Sequence, residues 1–221
     1  MKGLFITGTD TNVGKTYVAC QITESLKKQN IKIIPRKPVE TGCPLINDVL
    51  HPEDAHRLLI SSGSIISLNE VCPYRFSPAI SPQIAAESSA EILTLDNLIS
   101  ACTNNVSTDD FLLVEGAGGF YSPICSNALN SDLAIKLRLP VILVTENRLG
   151  AVNQTLLAIS AIENSGLKLL TIILNKTNKL ELNPLINNAS EISKFTSHSV
   201  HNLSYNQKIP KSLIQKILPT L

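Results

Sequence analysis

The sequence predicts an α/β fold in three layers, α/β/α, with a mainly parallel sheet and helices on both of its faces. Three observations predict it. Short apolar runs alternate with longer helical patterns along the chain, as right-handed β–α–β crossovers require. Each run is nearly continuous rather than alternating, so each strand is buried on both faces. The apolar residues are mostly Leu, Ile, Val and Ala, with no Trp, four Tyr and five Phe. That mixture suits a buried sheet wrapped by helices.

Taken in order, Gly3–Thr7 is the first strand and Lys15–Gln29 the first helix. Ile31–Pro35 is the second strand, ended by Pro38. Pro52–Ser61 is a helix, with Pro52 suited to its first turn. Ser61–Ser88, with Pro73, Pro78 and Pro82, reads as a long irregular excursion, a kind of loop that is often functional. Leu95–Asn104 is a helix and Phe111–Glu115 a strand. Ser131–Arg138, Ala151–Ser165 and Glu181–Lys194 are helices, separated by strands Val141–Thr145 and Leu169–Leu174. The remaining stretch is polar and patternless until "QKIPKSLIQKILPTL". There Lys208, Lys211 and Lys216 alternate with Ile209, Leu213, Ile214 and Leu218. Packing of that segment on the body outweighs a membrane-surface helix. With no repeat, linker or composition shift, residues 1–221 form one domain.

Composition excludes several functions. A chain of 221 residues buries a full core without staples. Its 19 basic and 18 acidic side chains leave a net charge of +1, which excludes a polybasic nucleic-acid binder. At 43% hydrophobic and 17% charged, it is not disordered. Scarce aromatics disfavour a base-stacking platform. Cys20, Cys43, Cys72, Cys102 and Cys125 are far apart and form no C-x-x-C pair; free thiols in a reducing compartment are expected. The N-terminus carries no secretory h-region, and no apolar run reaches membrane-span length. The expectation is a soluble, cytoplasmic protein without a membrane partner. His51, His56, His198 and His201 form no ligand set and are expected at the surface or in caps.

In a parallel sheet, ligands sit beyond the carboxyl ends of the strands. After the first strand stands "GTDTNVGKT", Gly8 to Thr16. It resembles a phosphate-binding P-loop with one extra residue between the glycines. Gly14 permits close backbone approach to an anion, and the following helix N-terminus supplies positive potential. Lys15 can reach outer phosphates, and the Thr16 hydroxyl can ligate Mg²⁺. After the second strand, "RKPVETG" sets Lys37 at the same edge, with Thr41 and Gly42 beyond it. Asp54 in "HPEDAHRL" fits a Mg²⁺ carboxylate or a first-turn acid; local sequence favours the latter. "LLVEGAGG" has the form of a Walker-B strand, with Glu115 where Asp is more usual. Its glycines, among them Gly116 and Gly118, allow close backbone approach. "ENRLGAVNQT" offers an anion site suited to a carboxylate at a helix start, formed by Leu149, Gly150 and Asn153. "NKTN" nearly matches a guanine-reading motif, but Asn178 replaces its Asp. A GTPase is therefore disfavoured, while Asn175 still suits a base edge such as adenine.

Several motifs then fall into one order. "GTDTNVGKT", "KPVETG", "EDAHRL", "SPAISPQIAA", "VEGAGG", "LPVILV", "LGAVNQTLL" and "ILNK" closely resemble the dethiobiotin synthetase family of the biotin pathway, over roughly Gly3 to Lys176. The resemblance implies a P-loop NTPase-like homodimer with shared active sites. It implies an ATP- and Mg²⁺-dependent cyclo-ligase acting on CO₂ and 7,8-diaminononanoate (7,8-diaminopelargonate). Lys15 and Lys37 would clamp the carbamate and the transferring phosphoryl group. Thr16, Asp54 and Glu115 would organise the metal. Thr11 and Thr41 would touch the diamine or carbamate beside Gly118. The nucleotide would lie along Asn12, Val13, Gly14, Lys15, Thr16 and Tyr17, and against Gly116, Ala117, Gly118, Asn175 and Lys176. The substrate's far carboxylate would meet Leu149, Gly150 and Asn153 of the neighbouring subunit. Asn12 stands where several members carry Glu, Gln83 replaces a common His, and the loop that covers the base has no clear match beyond "HNLSY". The competing likeness is to partitioning and septum-site ATPases, which carry an early P-loop Lys where this chain has Asp10. An amidating ligase of the cobyrinate type would need a glutaminase domain for which the chain has no room.

Overall fold

The structure, a computed structural model, describes residues 1–179 and 186–220. In chain order its first elements are β1 (Gly3–Gly8), α1 (Lys15–Lys27), β2 (Ile33–Arg36), β3 (Val39–Thr41), β4 (Leu45–Ile46), β5 (Val49–Leu50) and α2 (Glu53–Ser62). Then come α3 (Leu68–Val71), β6 (Tyr74–Phe76), α4 (Pro82–Ser88), α5 (Leu95–Thr103), β7 (Phe111–Gly119), β8 (Pro123–Cys125) and β9 (Ala128–Leu129). The chain continues with α6 (Asn130–Leu137), β10 (Val141–Glu146), α7 (Ala151–Asn164), β11 (Leu169–Asn175), α8 (Asn188–Ser193), β12 (Val200–Leu203) and α9 (Lys211–Ile217).

Six strands form one sheet in the order β12-β11-β10-β1-β7-β2, and every neighbouring pair is parallel. Alternate side chains of a strand point to opposite faces, and here both faces are core. Leu4 and Ile6 of β1, Phe111 and Leu113 of β7, and Ile142 and Val144 of β10 pack with α1, α2 and α9. Their neighbours Phe5, Leu112, Val114, Val141 and Leu143 pack with α4, α5, α6, α7 and α8. This is why the apolar runs are continuous, and the three-layer α/β/α expectation holds. β1 lies in the middle, between β7 and β10, so its carboxyl end opens into the crevice where ligands bind such sheets.

Several boundaries differ from the sequence reading. β7 does not stop at Glu115 but continues through the glycines to Gly119. Ile6 pairs with Glu115 and Gly8 with Gly119, so the register slips between them. Ser61–Ser88 is not irregular. It contains α3, closed by a capping box between Ser67 and Glu70, and β6, which pairs in parallel with β3. The expected helix Glu181–Lys194 is described only from Asn188, capped by the Asn187 side chain; residues 181–185 lie outside the described residues. β12 was not foreseen. α9 turns its apolar side inward: Leu213, Ile214 and Ile217 are buried, while Lys208, Lys211 and Lys216 face solvent. The apolar face a membrane surface would need is in the core. Among the described residues, no helix is long and apolar enough to cross a membrane.

Candidate active site

The turn from β1 into α1 is shaped by two left-handed residues, Asn12 at φ 60° and Gly14 at φ 93°. Asn tolerates that region better than most side chains, which gives Asn12 a local reason. Gly14 has a steric one as well. A Cβ there would stand 2.1 Å from the Asn175 amide nitrogen, which donates to the Val13 carbonyl at 3.0 Å. The end of β11 thus braces the loop from outside. Inside, Lys15 curls back and its Nζ donates to the Asp10 carbonyl at 2.7 Å. Burial, and then the neighbouring Lys37 cation, lower the Lys15 pKa to about 8.

Beyond β2, the chain carries Lys37 straight into the same crevice, where it is 5% exposed. Its ammonium lies 2.6 Å from Glu115 Oε1 and 3.2 Å from Asp54 Oδ2. Burial alone would depress its pKa, but Glu115, Asp54 and Glu40 outweigh burial and raise it, so Lys37 stays charged. Asp54 answers in kind. Burial works to raise its carboxyl, yet the Lys37 ammonium, through its charge and hydrogen bond, holds it below the ordinary value. Asp54 therefore does more than complement a helix dipole. Thr16 Oγ1 donates to Glu115 Oε1 at 2.7 Å. One oxygen of Glu115 thus serves both Thr16 and Lys37. The other, Oε2, is buried with no hydrogen-bond partner among the described residues. A buried anionic oxygen without a partner is costly. A hard cation or its water, set between Glu115, Asp54 and Thr16, would satisfy it.

Two cavities meet at the loop. One, of about 310 Å³, is lined by Thr11, Asn12, Gly14, Lys15, Thr16, Tyr17, Lys37, Val39, Glu40, Thr41, Asp54, Arg57, Glu115, Ala117 and Gly118. The other, of about 350 Å³, is lined by Asn12, Gly14, Tyr17, Asn175 and Lys176, together with Arg57, Thr177, Tyr205 and Asn206. Val13 and Gly116 line neither. The Val13 side chain is core, and a Cβ on Gly116 would strike the Asn130 amide at 2.6 Å. Leu149, Gly150 and Asn153 also stay outside both cavities and face solvent at the start of α7. Gln83 is engaged on its own helix, donating to Glu87 at 3.1 Å.

Sequence reading missed Glu40, Arg57 and Tyr205. Glu40 lies inside "KPVETG" but announces nothing by itself. Arg57 stands one helical turn from Asp54, the available signal. Tyr205 sits in a loop tied to α1, where the Tyr17 hydroxyl donates to the Gln207 carbonyl at 2.8 Å. The histidine expectation needs one correction. His201 is on β12, half-buried, with Nε2 buried and unpartnered among the described residues. His198 instead pairs with Glu163 at 2.8 Å. The cysteines are free as expected, four of them buried.

A strand, a phosphate-type loop and a helix, with a carboxylate supplied by the next strand of a parallel sheet, define a P-loop nucleotide-dependent α/β protein. The chain matches the family model described as an AAA domain over residues 2–206. It is 41% identical over 222 residues to the ATP-dependent dethiobiotin synthetase BioD of Vesicomyosocius okutanii, covering 99% of this chain and 97% of that one. It is 36% identical over 196 residues to the namesake of Anaeromyxobacter dehalogenans (strain 2CP-C), covering 89% and 86%. The chain belongs to the dethiobiotin synthetase family. Among solved structures it resembles a ParA family ATPase from Chlorobium tepidum TLS, with a TM-score of 0.54 at 14% identity over 99% of this chain and 89% of that one. It also resembles the septum site-determining protein MinD from Pyrococcus horikoshii OT3, with a TM-score of 0.52 at 16% identity over 100% and 87%. Those likenesses concern the fold alone.

Proposed function

We propose that this chain closes the ureido ring of dethiobiotin from 7,8-diaminononanoate and CO₂, driven by ATP, in biotin biosynthesis. The observation that carries the reading is Lys37, buried yet held charged, next to Lys15 and facing Glu115 and Asp54. Ring closure must turn one oxygen of a carbamate into a leaving group, since hydroxide leaves poorly and phosphate leaves well. The carbamate of one amine attacks the γ-phosphorus, giving a carbamic–phosphoric anhydride and ADP. The second amine then attacks the carbonyl, and phosphate departs with its bonding pair. Such chemistry needs positioning and charge neutralisation more than covalent help.

Most of the roles fall to residues lining the two cavities at the loop. Lys37 orients the carbamate and neutralises charge on the transferring phosphoryl group. Lys15 turns from the Asp10 carbonyl to the outer phosphates. Thr16, Glu115 and Asp54 would hold Mg²⁺, which when bound would neutralise phosphate charge. Thr11, Thr41 and Gly118 border the diamine. Asn12 to Tyr17, Ala117, Asn175 and Lys176 border the nucleotide. With its amide nitrogen engaged by Val13, Asn175 offers its carbonyl oxygen to an exocyclic amine, a group adenine carries. The outward Leu149, Gly150 and Asn153 would receive the substrate carboxylate of a neighbouring subunit, making the working enzyme a homodimer. Five free thiols suit the reducing cytoplasm. The test supplies purified protein, Mg-ATP, the diamine and bicarbonate, and looks for dethiobiotin by mass spectrometry. ATP turnover without that product would sink the reading.

A further inference from the structure

One buried acid lining this cavity helps to keep Lys37 charged but has no contact role in the chemistry above. Glu40 on β3 is 7% exposed. Its Oε1 accepts the backbone N–H of Asp54 at 3.0 Å, and its Oε2 accepts that of Ala55 at 2.9 Å. These are two of the donors that the first turn of any helix leaves without intrahelical partners. The residue before α2 is Pro52, which has no capping group, and α2 has no side-chain cap of its own. The cap comes instead from a separate strand. A local Ser or Asp cap would stabilise the helix end alone. A cap from β3 also fixes where that end stands relative to the strand. Val39, Glu40 and Thr41 all line the cavity that holds Lys37 and Asp54, and the parallel ladder with β6, in which Glu40 stands opposite Arg75, pins the strand from its other side.

We propose that Glu40 is a positioning residue that ties the N-terminus of α2 to β3 and so holds the Asp54 carboxylate beside Lys37 and the phosphate-side cavity. This rests on the reading of Asp54 as a metal carboxylate in the reaction above. The role is indirect, so it predicts coupling. Mn²⁺ serves as the probe, its binding followed by electron paramagnetic resonance with a non-hydrolysable ATP analogue and the full chain. Glu40→Ala weakens Mn²⁺ binding roughly tenfold, the scale of a lost helix cap, and lowers hydrogen-exchange protection at residues 54–57. In an Asp54→Ala background, Glu40→Ala costs no further affinity, because it acts through Asp54. Glu40→Gln falls between, since its single carbonyl oxygen keeps one of the two bonds; it carries the same test should Glu40→Ala fail to fold. Lost protection with unchanged Mn²⁺ affinity would overturn the proposal in favour of a purely structural cap. Equal losses in both backgrounds would overturn it in favour of a route other than Asp54. An Asp54→Ala protein that binds Mn²⁺ as the wild type does removes its premise. Dethiobiotin formation is scored separately. A wild-type chain that makes none, while Glu40 still governs Mn²⁺ through Asp54, defeats the functional reading and leaves this one standing.

Discussion

Lys15 and Lys37 share one crevice and are driven in opposite directions. Lys37 has Glu115 and Asp54 within ion-pair distance and keeps its proton. Lys15 has a backbone carbonyl for a partner and the Lys37 cation nearby, and its pKa falls from 10.5 to about 8. Lys37→Ala removes a positive group aimed at developing phosphoryl charge. Its kcat should fall by roughly 10²–10³-fold, as for loss of one preorganised electrostatic donor, with the fold retained by circular dichroism; an unchanged rate removes Lys37 from the mechanism. For Lys15 the expectation is a pH profile. Raising the pH through about 8 neutralises Lys15 in the free protein, so kcat/KM for ATP descends there. Bound phosphates favour the ammonium, so kcat holds to higher pH. The stability sign is the reverse. Between about 8 and 10.5 the unfolded chain keeps a proton that the folded one has released, so the ligand-free protein gains stability as pH rises and loses it as pH falls back through 8. A kcat/KM that stays flat well above pH 8 would show that Lys15 is charged without ligand.

At the scale of elements, legibility followed burial and sequence proximity. β1, β10 and β11 were readable because both faces are core, which makes their sequences continuous apolar runs. β12, "VHNL", is an edge strand with polar residues, and nothing in its pattern distinguishes it from a loop. β7 hid its last residues behind glycines, which weaken a strand signal. In the site, Lys15, Thr16, Lys37 and Glu115 were legible because each follows or ends a strand. Glu40 was not, because its meaning lies in a contact with α2 that local sequence does not encode. α9 was ambiguous for a related reason: an amphipathic basic helix reads alike whether its apolar side meets a core or a lipid surface. The structure packs Leu213, fully buried, against the same cluster as α1. Leu213→Ala should therefore cost about 2–5 kcal/mol of unfolding free energy in urea titration, as large-to-small core substitutions do. A cost below about 0.5 kcal/mol, the range of surface changes, would mean that α9 is loosely held.

For the whole molecule, the question is how many chains complete one site. Leu149 is 78% exposed, and the start of α7 does not line the cavity that holds Lys15 and Lys37 in its own chain. The loop before it is nonetheless built with care. Asn188 donates to the Arg148 carbonyl at 2.9 Å and to Asn147 at 2.8 Å, and Arg148 pairs with Glu146 at 3.2 Å. An exposed helix start, its loop held by these contacts, suits an anion brought by another body. Beside it, Tyr121 and Leu157 are 57% and 64% exposed and border an apolar hollow with Phe120, Ala158 and Ala161. A net charge of +1 offers no barrier to self-association. A two-fold dimer burying this face would give each site the lysines of one chain and the helix start of its partner. Lys15→Ala and Asn153→Ala should each be inactive alone. Mixed and re-equilibrated in equal amounts, half the dimers are mixed. In each mixed dimer one site carries both lesions and the other none. About a quarter of wild-type activity should return, a ratio fixed by the symmetry of the pair. If verified heterodimers show no rescue, both residues serve the same site from one chain, and the shared-site dimer is wrong.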